Sequence, residues 1–154
     1  MTKRCCDVLA TLKGRTLVTA ESCTGGGIGA ALTAIPGSSE VYKGGIICYT
    51  NWVKENMLGV SKESLDGFGA VSAQVAREMA HGARTRLQAD AAVSVTGLAG
   101  PGGDDFGNDV GTVFIGYDNG KVSDVEEHHF IGDREEVRQQ AVIAALELIL
   151  RVEV

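Results

Sequence analysis

The stretch Ala20-Glu21-Ser22-Cys23-Thr24-Gly25-Gly26-Gly27-Ile28-Gly29 places three small side chains that carry a hydroxyl or a thiol directly ahead of a run of glycines. Residues 16–19 are rich in β-branched side chains and predict a short strand, and residues 28–34 predict the body of a helix. The stretch therefore lies on a strand-to-helix turn. At such a turn the first N–H groups of the helix are unpaired, and glycines let the oxygens of a ligand approach the backbone. This geometry suits a phosphate group or the oxyanion of an acyl-transfer reaction.

Strands and helices alternate along the rest of the chain. The hydrophobic pattern predicts helices over residues 2–13, 28–34, 51–57, 73–88 and 134–151, with one further turn at 61–65. It predicts strands over residues 16–20, 46–49, 91–96, 112–117 and 122–130. The pair Gly44-Gly45 is predicted to open the second strand, and Asn119-Gly120 to form a two-residue hairpin between the last two. This order implies a three-layer α/β/α sandwich with a mixed, mostly parallel sheet, formed by residues 1–154 as a single domain.

The composition of the 154-residue chain limits the classes of function. The formal net charge is −6 and the acidic residues are scattered, so we expect a small-molecule partner and no nucleic acid, which needs a basic face. The N-terminus lacks the apolar core of a signal peptide, and no run reaches the roughly 18 apolar residues of a membrane span. The four cysteines form no C-x-x-C pair, which argues against a zinc site and a disulfide framework. We expect a cytoplasmic protein without membrane contact, metal or cofactor.

The turn contains three candidate nucleophiles, namely Ser22, Cys23 and Thr24. In an arbitrary strand-to-helix turn such residues more often cap the helix. No histidine is placed as a base, because His81 lies on the long helix, and His128 and His129 are adjacent on a strand and point to opposite faces. A lysine is the alternative base, and burial or a nearby positive field can lower its pKa toward neutrality.

Lys54 meets this requirement through its predicted position. With Asn51 as the N-cap of the helix over 51–57, Lys54 is the third helical residue, where the positive end of the helix dipole disfavours an ammonium group. We therefore expect a lowered pKa for Lys54; an ordinary exposed lysine is the alternative. Tyr49, at the end of a predicted strand, is placed to relay a proton or to orient the lysine, or is simply a half-buried aromatic residue.

Two further residues are candidate substrate ligands. Thr96 ends the predicted central strand, which puts its hydroxyl at the carboxyl edge of the sheet, where ligands of open α/β folds bind. Arg134 follows the helix-capping Asp133, and a guanidinium beside the free N–H groups of a helix start forms a phosphate clamp. The alternatives are a turn threonine and a solvated arginine. Between the two lies a glycine-rich loop over 97–110, whose length is typical of functional loops.

Two other motifs resemble ligand-binding patterns without fully matching them. Residues 25–30 satisfy a relaxed G-x-G-x-x-A dinucleotide pattern, but four residues separate the strand from the first glycine, so a Rossmann site is not predicted. Asp104, Asp105 and Asp109 lack the 1, 3, 5 spacing of a calcium loop, which favours a solvated acidic loop.

The hexapeptide Glu21-Ser22-Cys23-Thr24-Gly25-Gly26 resembles the signature of the CinA C-terminal domain family, whose active members are nicotinamide-nucleotide amidohydrolases. Further blocks resemble this family in the same order across nearly the whole chain: Pro36-Gly37-Ser38-Ser39, Tyr49-Thr50-Asn51 with Lys54 and Met57-Leu58-Gly59-Val60, Gly69-Ala70-Val71-Ser72, Thr96-Gly97-Leu98-Ala99-Gly100-Pro101-Gly102-Gly103 followed by Val110-Gly111-Thr112-Val113, and Gly132-Asp133-Arg134. One block departs: Phe106-Gly107-Asn108-Asp109 stands where the family usually has Glu-Lys-Pro. Substrate affinity or preference is expected to differ accordingly.

The resemblance implies hydrolysis of the carboxamide of nicotinamide mononucleotide (NMN) to nicotinic acid mononucleotide and ammonia. It implies Ser22 as the nucleophile, with Lys54 and Tyr49 as the proton-transfer pair and no metal. We expect the oxyanion to bind backbone N–H groups of the turn after Ser22, and the substrate phosphate to bind Arg134 and glycine-rich backbone. The residues expected to bind the substrate are Thr24, Gly25, Gly26, Thr96, Gly102, Gly103 and Arg134. The N-terminal pyrophosphatase domain that some relatives carry is expected to be absent.

The alternative function is a non-catalytic module that binds a nucleotide or a protein partner. The presence of all three proposed catalytic residues argues against it. A competence or DNA-damage accessory protein is a third interpretation, and the acidic balance argues against direct DNA binding by such a protein. A homodimer or higher homo-oligomer is the expectation for a small α/β enzyme.

Overall fold

The computed structural model describes residues 1–154. Its helices are α1 (Thr2–Thr11), α2 (Gly27–Thr33), α3 (Asn51–Leu58), α4 (Lys62–Phe68), α5 (Ala73–Arg86) and α6 (Arg134–Glu153). Its strands are β1 (Leu17–Glu21), β2 (Tyr42–Ile47), β3 (Ala91–Gly97), β4 (Thr112–Asp118) and β5 (Ser123–His129). A short 3-10 helix (Ser38–Glu40) precedes β2. Each predicted helix and strand is present, and β2 shows the largest difference in its bounds.

The five strands form one mixed sheet in the order β2-β1-β3-β4-β5. Strand β1 pairs in parallel with both β2 and β3, and β4 pairs antiparallel with both β3 and β5. Only β4 therefore runs against the other strands, which confirms the mixed, mostly parallel sheet predicted from the sequence. The carboxyl ends of β1, β2 and β3 meet at one edge of the sheet.

Helices cover both faces of the sheet, so the three-layer sandwich is confirmed. One core packs α1, α2 and α6 against the first face, and it includes Val8, Ile28, Val93, Ile115 and Leu148. A second core packs α3, α4 and α5 against the other face, and it includes Val18, Leu58, Leu65, Met79 and Ala92. None of these helices is both long enough and apolar enough to cross a membrane.

The start of β2 corrects the predicted bounds. The prediction placed Gly44-Gly45 at the opening of a strand over residues 46–49. In the structure both glycines lie inside β2 and pair with β1, where Gly45 lies opposite Thr19. A Cβ on Gly45 would come within 2.9 Å of the Thr19 carbonyl oxygen and 2.8 Å of the Tyr42 hydroxyl. Glycine is needed here because the side chains of Thr19 and Tyr42, whose hydroxyl oxygens lie 2.8 Å apart, fill the space of a side chain.

The predicted β4–β5 hairpin is present, but its turn lies one residue later than Asn119-Gly120. The N–H of Asn119 donates to the carbonyl of Val122 at 3.1 Å, which centres the turn on Gly120 and Lys121. The Asn119 side-chain oxygen accepts from the N–H groups of Lys121 and Val122, at 3.0 and 2.7 Å. Asn119 therefore precedes the two central residues of the turn and stabilises the turn through its side chain.

Candidate active site

A cleft of about 620 Å³ opens at the carboxyl edge of the parallel strands. Its floor is formed where β1 leads into Ser22, where β2 leads through Tyr49 to α3, and at Thr96 near the end of β3. The glycine-rich loop after β3 and the start of α6 form its walls. The lining residues are Ser22, Cys23, Tyr49, Asn51, Lys54, Ala70, Val71, residues 96–106 and Arg134.

At the floor of the cleft, Lys54 and Ser22 are in direct contact. Lys54 Nζ donates to Ser22 Oγ at 3.0 Å and to the carbonyl oxygen of Cys48 at 2.9 Å. Both side chains are buried, with 2% of Lys54 and 7% of Ser22 exposed. The structure thus brings together the serine and the lysine that the sequence singled out, and holds the amine between the Ser22 hydroxyl and the Cys48 carbonyl, just after β2.

The charge state of Lys54 depends mainly on this burial. Removal from water disfavours the ammonium form, so burial lowers the pKa of Lys54 below its ordinary value. The predicted direction of the shift is the one found, but the helix dipole was the wrong principal reason. Thr50, whose Oγ1 accepts from the N–H of Val53, is the N-cap of α3 in place of Asn51, so Lys54 is the fourth helical residue. Asn51 instead lines the cleft. The sequence predicted it only as a helix cap, so this placement was missed.

Of the other two candidate nucleophiles, the Cys23 thiol is protonated and the Thr24 hydroxyl is hydrogen-bonded. Burial raises the pKa of the Cys23 thiol to about 11, so it is not a thiolate at neutral pH. The Thr24 hydroxyl donates to Glu21 Oε1 at 2.8 Å. Ser22 is thus the one hydroxyl of the turn that contacts a basic group.

Thr24, Gly25 and Gly26, which were predicted to bind substrate, do not line the cleft, and their role in substrate binding stays a prediction. The turn bends away from the cleft immediately after Cys23. Thr24 is buried against Glu21, whereas Gly25 and Gly26 adopt positive φ angles of 59° and 100° that lead the chain into α2. Gly25 and Gly26 thus shape the turn.

Two residues hold the turn from its two sides, and sequence reasoning missed both. The carboxylate of Glu21 accepts from the N–H groups of Ile28 and Gly29 at 2.8 and 3.1 Å, in addition to Thr24. From α6, Arg138 donates to the carbonyl oxygens of Cys23 and Thr24 at 3.0 and 3.3 Å. Glu21 carried a signal, since a carboxylate just before a helix start complements its dipole. Arg138 carried no such sequence signal, since it lies far along the chain from the turn that it contacts.

Tyr49 and Arg134 meet at the mouth of the cleft. Arg134 Nη2 donates to the Tyr49 hydroxyl at 3.0 Å, and Nη1 donates to the carbonyl of Gly100 at 2.7 Å. Arg134 therefore reaches the cleft. Tyr49 is 58% exposed, and its hydroxyl bonds to Arg134 rather than to Lys54 or Ser22. In this arrangement Tyr49 contacts Arg134, and its role in proton transfer stays a prediction.

The glycine-rich loop forms the wall opposite Tyr49. Thr96 is buried and donates to the carbonyl of Ala70 at 2.7 Å, while Gly102 and Gly103 line the cleft as expected for substrate-binding backbone. Asn108 ties the loop down by donating to Asp104 Oδ2 at 2.8 Å and to the carbonyl of Val71 at 3.1 Å.

The half-exposed ring of Phe106 stands on this anchored loop. It packs on Gly69, where a Cβ would come within 2.6 Å of the ring. The block in which the sequence departs from the family pattern thus contributes an aromatic ring to the cleft.

The whole chain has counterparts among known proteins. A family model described as the CinA C-terminal domain matches residues 1–152. A CinA-like protein of Thermosynechococcus vestitus is 49% identical over 141 residues, which cover 89% of this chain and 34% of that protein. The chain spans about a third of the length of the curated relatives it matches.

Two solved structures share the fold over nearly their full length. The competence/damage inducible protein CihA from Agrobacterium tumefaciens superposes with a TM-score of 0.95 at 41% identity, covering 99% of this chain and 95% of that one. A competence-damaged protein (CinA) superfamily protein from Escherichia coli gives a TM-score of 0.91 at 36% identity, covering 98% of this chain and 87% of that one.

Proposed function

The chain belongs to the CinA C-terminal domain family, and from this premise we propose that it hydrolyses the carboxamide of nicotinamide mononucleotide to nicotinic acid mononucleotide and ammonia. The family resemblance suggests the substrate. The contact between Lys54 Nζ and Ser22 Oγ, at 3.0 Å in a buried site at the floor of an open cleft, is the observation that carries the proposal of amide hydrolysis.

In the first half-reaction Ser22 Oγ attacks the carboxamide carbon while its proton passes to neutral Lys54. The lowered pKa of Lys54 is the property that this step requires, because a protonated lysine cannot accept the proton. The tetrahedral intermediate then collapses: its C–N bond breaks, Lys54 returns the proton to the departing nitrogen, and ammonia leaves. An ester between Ser22 and the nicotinoyl group remains.

In the second half-reaction water replaces ammonia. Lys54 takes a proton from the water, whose oxygen attacks the ester carbon, and returns it to Ser22 Oγ as the ester bond breaks. This step gives the free serine and the product carboxylic acid, which loses its remaining proton to water and becomes the carboxylate. The same pair of side chains thus serves both halves, with the Cys48 carbonyl holding the amine in place at 2.9 Å throughout.

The negative oxygen of each tetrahedral intermediate needs hydrogen-bond donors. The N–H of Gly25 already donates to the carbonyl of Ser22 at 3.1 Å, whereas those of Cys23 and Thr24 are paired with no backbone carbonyl. We assign the oxyanion to the N–H groups of Cys23 and Thr24. This assignment gives Thr24 a backbone role while its side chain stays with Glu21.

The phosphate of the substrate fits the mouth of the cleft. Arg134 supplies a fixed positive charge there, and Gly102 and Gly103 supply backbone without side chains that would block an anion. In this proposal Tyr49 orients Arg134 through their 3.0 Å hydrogen bond.

The test is ammonia release from NMN by the purified protein in the presence of EDTA. Because Ser22 and Lys54 supply both nucleophile and base, we expect turnover to survive chelation and to be lost in Ser22→Ala and in Lys54→Ala. Full turnover in Ser22→Ala would refute the nucleophile. Saturable NMN binding without turnover in the wild-type protein would refute the proposal in favour of a binding module.

A further inference from the structure

In the turn that carries Ser22, each carbonyl group of residues 22–24 accepts a hydrogen bond from a different donor group. The Ser22 carbonyl accepts from the N–H of Gly25 at 3.1 Å, and the Thr24 carbonyl accepts from the N–H of Gly27 at 3.0 Å. The Cys23 carbonyl has no backbone donor. Its partner is the side chain of Arg138, with Nε at 3.0 Å, while Nη2 of the same guanidinium reaches the Thr24 carbonyl at 3.3 Å.

This contact fixes the direction of one N–H group. The peptide between Cys23 and Thr24 is trans, so the N–H of Thr24 points away from the carbonyl that Arg138 holds. Arg138 does not line the cleft. It lies behind the turn, in a separate recess of about 260 Å³ next to Gly27 and Val142. With the carbonyl directed to the back, the N–H of Thr24 is directed toward the side of the turn that carries Ser22.

The position of Arg138 is itself fixed by the core. Its helix neighbours Val137 and Ala141 are fully buried against the sheet, so α6 cannot shift without disturbing the packing. On the other side of the turn Glu21 holds the Thr24 hydroxyl at 2.8 Å. The planar guanidinium presents two N–H donors in a fixed geometry that matches two successive carbonyls, whereas the donors of an ammonium group rotate freely.

We propose that Arg138 is a positioning residue for amide hydrolysis, which orients the Cys23–Thr24 peptide so that the N–H of Thr24 stabilises the oxyanion. The inference rests on the proposed function, both for the chemistry at Ser22 and for the identity of the substrate, and the experiment below separates these two parts. Arg138 contacts neither the substrate nor the reacting atoms. Its effect should therefore fall on the rate of the chemical step and not on substrate binding.

The experiment compares Arg138→Met, Arg138→Lys and, as a matched control on the same helix, Arg151→Met. Arg151 pairs with Asp124 and Glu126 at the far end of α6 from the cleft. For each protein kcat and KM for NMN are measured, together with the rate at which a fluorophosphonate labels Ser22. The phosphonyl oxygen of that adduct occupies the oxyanion position, so labelling reports on the same N–H groups without NMN.

We expect kcat of Arg138→Met to fall about 10²-fold, the usual cost of misplacing a catalytic group by about 1 Å, with KM nearly unchanged and labelling slowed in parallel. Arg138→Lys should fold and show an intermediate loss, which keeps the test available if Arg138→Met does not fold. Arg151→Met should match the wild type in kcat and in labelling.

Unchanged kcat and labelling in both Arg138 variants would overturn the proposal, as would a rise in KM with kcat retained. Labelling of wild-type Ser22 without NMN hydrolysis would refute only the substrate, because the labelling rates would still test Arg138. A wild-type protein that neither hydrolyses NMN nor labels would overturn both proposals.

Discussion

Replacing Lys54 by methionine removes the amine while keeping an unbranched side chain of similar length in the same buried space. In the wild type Lys54 is 2% exposed, and its amine bonds to Ser22 Oγ and the Cys48 carbonyl. A general base contributes about 10²–10⁴ to a rate, so kcat for amide hydrolysis should fall by roughly 10³. The exposed Lys62→Met is the matched control and should leave kcat unchanged.

The same substitution changes how stability depends on pH, and the sign follows from the lowered pKa. The unfolded chain keeps the Lys54 proton up to its ordinary pKa of 10.5, whereas the folded protein releases it at a lower pH. Between these two values the unfolded state binds one more proton, so the free energy of unfolding of the wild type rises by about 1.36 kcal/mol per pH unit. Below the folded pKa both states are protonated and the contribution of Lys54 is constant. Lys54→Met lacks this rise.

The assay is urea unfolding of wild type and Lys54→Met at half-unit intervals from pH 6 to 10 (roughly the range over which lysines with lowered pKa values titrate). The quantity compared is the difference in their free energies of unfolding. Burial raises the pKa of the Cys23 and Cys48 thiols to about 11, which lowers the stability of both proteins above their ordinary value of 9.0. Taking the difference between the two proteins largely cancels that contribution.

The kinetic and thermodynamic results must agree. The kcat/KM of the wild type should rise with pH and level off at the pKa of Lys54 in the free protein. The stability difference should begin to rise at that same pH. A stability difference that stays flat across the whole range would refute the lowered pKa, and with it the assignment of Lys54 as a base that is neutral near pH 7.

Tyr49→Phe should lower kcat by less than tenfold and mainly raise KM in the ammonia-release assay, because the hydroxyl it removes bonds to Arg134 and not to Lys54; a loss as large as that of Lys54→Met would restore the proton relay. Gly45→Ala should lower the free energy of unfolding measured in urea by about 1–3 kcal/mol, since its Cβ would press on Thr19. Gly67→Ala, in helix α4 with open space around it, should instead raise that energy by up to about 1 kcal/mol, and equal effects of the two substitutions would contradict the packing argument.

The fold was predictable because its signals are local. Alternating periodicities and one hairpin signal are enough to specify a mixed sheet between two layers of helices. The start of β2 was not predictable in the same way. Glycine normally weakens a strand, and only the contact between Thr19 and Tyr42 across the sheet shows why Gly45 is required inside one.

The candidate site likewise has features that could be predicted from the sequence and features that could not. The motif around Ser22 and the lysine at the start of a helix could be found from the sequence, but the choice among three adjacent nucleophiles could not. That choice depends on the Thr24 bond to Glu21 and on the burial of Cys23. The role of Arg138 could not be predicted from the sequence, because its contact with Cys23 joins residues 115 positions apart. No local pattern reports such a contact.

The parallel register explains how two side chains from different segments come to share a proton. Glu21 ends β1 opposite Ile47, the last residue of β2, and the N–H of Cys48 donates to the Glu21 carbonyl at 2.9 Å. Ser22 and Cys48 therefore leave adjacent strands side by side, and the amine of Lys54 bonds to both. The chemistry is thus held by the sheet, whereas residues that face the mouth of the cleft, such as Phe106, lie on a loop. Loops accept substitutions more readily than paired strands do, so changes in the loop can alter which ligand the cleft accepts while the serine and lysine keep their geometry.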